Sequence, residues 1–123
     1  MGLEGLLQIR DSQPASADLS AHQYKIVQFD ATPELELSAT GGAGGFVLLD
    51  KPDAQGINGT ILLAGKGKVI AGDTVAAGAM LSNEVTTGHA ITATTGDVVV
   101  GIALEDGVDG QLIKFIATPG GLA

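Results

Sequence analysis

The stretch Lys68–Phe115, KVIAGDTVAAGAMLSNEVTTGHAITATTGDVVVGIALEDGVDGQLIKF, decides the fold class. Short β-branched runs recur along it, each stopped by glycine, asparagine or aspartate. Val69-Ile70 runs into Ala71-Gly72-Asp73, and Val75 into Ala77-Gly78. Met80-Leu81 meets Ser82-Asn83, which read as a turn, and Ile91 to Thr95 meets Gly96-Asp97. Val98 to Leu104 ends at Glu105-Asp106-Gly107, and Gln111 to Ala117 closes the series. β-Branched side chains suit the pleated surface of a strand, while Gly, Asn and Asp supply the turn conformations. No window keeps its apolar residues at helical spacing. The stretch is a β unit.

Working outward, Phe46 to Leu49 reads as a strand that turns at Asp50-Lys51-Pro52-Asp53. Asn58-Gly59 predicts a hairpin turn feeding the strand Thr60 to Leu63. Gly65-Lys66-Gly67-Lys68 predicts a further turn with two exposed lysines. Tyr24 to Phe29 alternates as a strand ended by Asp30-Ala31-Thr32-Pro33. Glu34-Leu35-Glu36-Leu37 alternates strictly, leucines inward and glutamates outward. Thr40 to Gly45 is a glycine-rich hinge or a point of close approach.

Residues 1–21 form a separate segment ahead of a β domain spanning 22–123. Leu3, Leu6, Leu7 and Ile9 make an apolar cluster, followed by Arg10 and a polar, loop-like stretch from Asp11 to Asp18. One reading makes the cluster an edge strand or cap on the domain's own core. The other makes it an extended arm lying on a neighbouring subunit or partner. Four large aliphatics are an odd composition for a free tail.

At 123 residues the chain has the size of one domain. Its aromatics are three Phe and one Tyr, so Val, Ile, Leu and Ala must build the core. A hydrophobic share of 45% is high for so small a domain and implies apolar surface reserved for another protein. Net charge is −8, which repels a phosphate backbone and an anionic membrane alike, so neither nucleic acid nor membrane is an expected partner. The chain has no cysteine, hence no disulfide framework and no thiol chemistry. Its start has no cationic segment followed by an apolar one, and synthesis in the cytoplasm is expected.

Chemistry needs positioned acids, bases or ligands, and the sequence offers little. His22 and His89 stand far apart, with no spacing that pairs them. Glu34 and Glu36 read as solvated acids on one strand face. The glycine run at 40–45 leads into a strand, whereas a phosphate cradle requires a following helix. Gly65 to Lys68 lacks the Ser or Thr that completes a nucleotide-binding loop. Asp106 and Asp109 sit in Asp-Gly steps, which are hairpin chemistry before they are a calcium loop. No catalytic residue, metal site or cofactor is predicted, and the chain is not expected to be an enzyme.

The run Val69, Ala71, Gly72, Asp73, Val75, Gly78 and Leu81, followed by Gly96-Asp97-Val98-Val99-Val100-Gly101-Ile102-Ala103-Leu104-Glu105, resembles the capsid decoration (cement) proteins of tailed bacteriophages. Val47 to Pro52 and Gly56 resemble the family's earlier strand and turn, so the likeness covers roughly Phe46 to Pro119. It implies an all-β, small barrel-like or β-tulip-type domain of short strands with an extended N-terminal arm. It also implies a structural virion protein on the outer surface of the capsid, contacting the major capsid protein as a homotrimer and stabilising capsomer junctions. Leu3, Leu6, Leu7, Ile9 and Arg10 are the expected contact residues. Two alternatives stay open: a small β module binding a ligand or carbohydrate, and a component of a head-surface fibre.

Overall fold

A computed structural model describes residues 8–38 and 40–123, without the side chains of 119 and 120. The strands are β1 (Ile9–Pro14), β2 (Ile26–Phe29), β3 (Leu35–Leu37), β4 (Phe46–Leu48), β5 (Asn58–Ile70), β6 (Met80–Asn83), β7 (Ala90–Thr92), β8 (Val98–Ala103) and β9 (Leu112–Leu122). No helix occurs among the described residues. The strands form one sheet in the order β3-β2-β4-β5-β9-β8-β6-β7, with β1 added to β5, and they pair antiparallel throughout. This sheet curls into a half-barrel. Ile26 and Val47 near one end share a buried cluster with Leu81 and Ala90 near the other, and the Ile26 amide donates to the Gly88 carbonyl at 2.6 Å. The all-β, barrel-like class expected from the sequence is the class observed.

Two cores follow from the period-two geometry of strands. In the first half, Ile26, Val47 and Leu62 face the large core inside the curl. Their chain neighbours Val27, Leu48 and Ile61 face a second core on the opposite side, closed by Ala15, Leu19 and Leu35. A sheet covered on both sides reads as continuous apolar sequence, which explains Ile26-Val27, Val47-Leu48 and Ile61-Leu62. In the second half only one face is covered. Val69, Leu81, Val100, Ile113 and Phe115 point into the large core, while the neighbours Lys68, Met80 and Lys114 point to solvent.

β5 is the 13-residue strand common to both halves. It pairs with β1 and β4 at its start and with β9 from Gly65 onward. Leu62 and Val69 face the same core although their positions differ by an odd number, so strict alternation fails between them. Gly65, at φ 101°, is the left-handed point where the strand can shift its phase. Close approach also fixes Gly101 on β8. A methyl group there would lie 2.2 Å from the Ile116 carbonyl oxygen and 2.6 Å from the Phe115 ring.

A buried polar latch ties the halves together. Asn83 on β6 is fully buried. Its Oδ1 accepts from the Gly44 amide at 2.8 Å, and its Nδ2 donates to Ser38 Oγ and to the Thr40 carbonyl, both at 2.7 Å. Beside it the Gly42 carbonyl accepts the Val98 amide at 2.9 Å. The glycine loop is therefore a clasp across the mouth of the curl.

Four local expectations need correction. Ser82-Asn83 is strand, because its polar side chains have buried partners that no local pattern reveals. Asn58-Gly59 opens β5, and Gly59 packs under Leu48, Pro52 and Leu35; the reversal falls earlier, where the Ile57 amide donates to the Ala54 carbonyl at 3.2 Å. Gly65 to Lys68 is uninterrupted strand, since β9 pairs along all of it. Asp11 to Pro14, read as loop, lies in β1, where backbone pairing to β5 stands in for the missing apolar pattern.

Candidate functional site

The side chains that a catalytic reading would use are occupied in turns. Among the described residues no group of three or more His, Cys, Asp or Glu is placed to hold a metal ion. Asp106 Oδ1 accepts the Ala77 amide at 2.9 Å, and Gln111 Oε1 accepts the Val108 amide at 3.1 Å, so the Asp106–Gly110 turn braces itself. Glu34 Oε1 accepts from Thr32, and Glu36 Oε2 accepts from Gln28. Asp30 caps the same turn, and the Glu34 amide donated to its carboxylate holds its pKa below the usual value. His89 lies 3.9 Å from Glu84. His22 is partly buried, and its pKa is lowered first by desolvation and then by the Lys25 ammonium.

The outer face of the second half has a different character. Directly opposed residues of antiparallel strands share a face, so the registers define rows across β6, β8, β9 and β5. One row runs Met80, Ile102, Ile116, Lys66. The next joins Leu104, whose amide bonds the Lys114 carbonyl, to Lys114 and Lys68. A third pairs Leu112 with Ile70. Met80 is 46% exposed, Ile102 37%, Leu104 39% and Leu112 40%. Singly exposed aliphatics are ordinary; here four lie close together on one sheet face.

Beside the apolar rows lies an open hollow of about 470 Å³, lined by Arg10, Tyr24, Leu49, Lys66, Lys68 and Lys114 among others. It gathers four of the six cationic side chains of an acidic protein. The strands explain this convergence. Lys114 alternates between the core residues Ile113 and Phe115, and Lys66 and Lys68 flank Gly67, so all three face outward.

Of the contact residues expected from the sequence, Leu3, Leu6 and Leu7 lie outside the described residues. Ile9 and Arg10 begin β1, paired with β5 near Ala64 and Leu62, and Ile9 is 59% exposed. They lie in the sheet, with Arg10 at the rim of the hollow. Sequence reading did not find Met80, Ile102, Leu104 and Leu112. The available signal was the unbroken run Val98 to Leu104, which shows that both faces are apolar but not which one stays open.

Neither a protein-family model nor a curated protein matches this chain. A solved structure does: the head fiber gp8.5 N base of bacteriophage phi29 matches with a TM-score of 0.68, over 94% of this chain and 98% of that one, at 20% sequence identity. The two chains share a fold along almost their whole lengths.

Proposed function

We propose that this chain is a structural protein of a phage head, a base domain that seats on the outer surface of the capsid. The observation that carries the reading is the whole-length fold match to the base of a head fiber. Two further features support it. The Phe46–Pro119 pattern resembles capsid decoration proteins, and the second half presents an apolar outer face with no covering element among the described residues. The partner is the major capsid protein, and the assembly on the shell is a homotrimer. Fiber base comes ahead of pure cement, because the matched fold is that of a fiber base. The glycine and small-residue pattern favours the cement role as the second reading.

The physics of either role is mechanical. A standard protein interface buries ~1,600 Å² in total. A modest gain per site, repeated over the lattice, resists separation of capsomers. Docking would cover Met80, Ile102 and Leu104, whose exposure costs little in the free chain.

The test is co-sedimentation of the purified chain with expanded capsids that lack it. Saturable binding at a fixed ratio to the major capsid protein is the expected result. Met80→Asp with Ile102→Asp should abolish it while the chain stays folded, because a charge in a docked apolar row has no partner. Absence of saturable binding by the unaltered chain would overturn the proposal. Undiminished binding by the double variant would move the contact to another face.

A further inference from the structure

The cationic hollow has a feature that docking on a shell does not explain. Lys68 and Lys114 are directly opposed cross-strand partners on the same outward face. Like charges in that relation repel. Lys66 stands one pleat further along β5, also outward and exposed. Among the described residues no carboxylate lies within ion-pairing distance of these three ammonium groups. Glu105 turns its Oε2 to the Lys114 amide at 3.4 Å rather than to a side-chain cation. Among the described residues the cations thus stand unpaired where they crowd, in a chain of net charge −8.

The surrounding residues are held in place. Gln8 Nε2 donates to the Lys66 carbonyl at 2.6 Å, and Gln8 Oε1 accepts from Arg10 Nε at 2.9 Å, so the guanidinium is oriented toward the rim. Tyr24, the only tyrosine, sits at φ 65°, a conformation uncommon outside glycine. Its amide donates to Leu48 and its carbonyl accepts from Ile70, which fixes the strained backbone beside the hollow.

From this geometry we infer that Arg10, Lys66, Lys68 and Lys114 form a binding site for a phosphoryl group. The choice of anion follows from charge. A carboxylate brings one negative charge and leaves one of two opposed ammonium groups unneutralised. A phosphoryl dianion carries nearly two charges at one tetrahedral centre and satisfies both. The rest of the surface is acidic and disfavours a long polyanion, so a compact phosphate is selected over a nucleic-acid backbone. The site does not depend on the capsid reading, because the free chain contains all of it.

Calorimetric titration of the full chain with inorganic pyrophosphate tests the inference. Saturable binding is expected, weakening at least about tenfold in Lys68→Gln with Lys114→Gln. Affinity for phosphoserine should fall as pH drops through ~6, where its phosphoryl dianion becomes a monoanion. Lys114→Glu provides the control for folding. It replaces the repulsive pair with an attractive one, so its Tm should match or exceed that of the unaltered chain while pyrophosphate binding disappears. Phosphoserine binding tighter than inorganic phosphate would assign the site to a phosphate ester, and the reverse order to the free ion. No saturable binding of pyrophosphate overturns the proposal, as does equal affinity in the double Gln variant. Hexaglutamate or single-stranded DNA binding as tightly as pyrophosphate would overturn the phosphoryl assignment.

Discussion

The two halves of the sheet share β5 and differ in how many faces they bury. In the first half both faces are covered, one by the large core and one by the small core around Val27, Leu35, Leu48 and Ile61. In the second half the outer face stays open, with Met80, Ile102, Leu104 and Leu112 exposed and the lysines between and beside them. The same strand chemistry therefore serves stability in one half and contact in the other. A buried aliphatic contributes roughly 1.5–3 kcal/mol through removal of its surface from water. An exposed one contributes little until something covers it.

The sharpest way to break this contrast is to remove the same kind of side chain from each half. Leu48→Ala should cost about 2–5 kcal/mol in urea unfolding, because it leaves a hole in the small core. Asn83→Ala comes next, at roughly 1–3 kcal/mol, since it strips the Gly44 amide of its buried partner and unfastens the clasp between halves. An unchanged unfolding midpoint for Asn83→Ala would mean that the halves are held by apolar packing alone. Ile102→Ser, on the open face, should move stability by no more than about 0.5 kcal/mol. A loss comparable to that of Leu48→Ala would show that this face is part of the fold.

The smallest expected effect is a pH dependence confined to the first half. The folded pKa of His22 lies below its unfolded value of 6.5. Between those two values the unfolded chain binds more protons, so stability rises with pH there. Its contribution is fully present above 6.5 and is lost as pH falls toward the folded value. His22→Gln should flatten that slope in thermal unfolding followed from pH 7.5 to 5.5. A slope that persists would assign it to another group.

The fold class was legible because β-branched runs and glycine turns are local signals. Leu35 was likewise placed inward by simple alternation, and it is buried. Asn83 was not legible as core, since its hydrogen-bond partners lie on the far side of the half-barrel. Nor was β5 legible at full length. Gly and Lys imitate a turn, and only pairing with β9 makes Gly65–Lys68 a strand. Arg10 was named as a contact residue, but its neighbours in the hollow come from β5 and β9. Charge clusters of that kind are products of topology, which no window of sequence contains.

The position of β5 in mid-chain bears on the order in which the protein acquires its structure during synthesis. Every residue of the small core lies between Ala15 and Leu63, so that core has all its parts before β6 exists. The large core needs Phe115 and Ala117, which are made well after every residue of the small core. Pairings so distant in sequence are slow to form, because the loop between them must close first. Pulsed hydrogen exchange during refolding would test this order, and simultaneous protection of β4 and β9 would refute it. By this account the nascent chain carries a half-sheet whose later edge of β5 stays unpaired until β9 arrives, and that interval is when it is most open to joining the wrong neighbour.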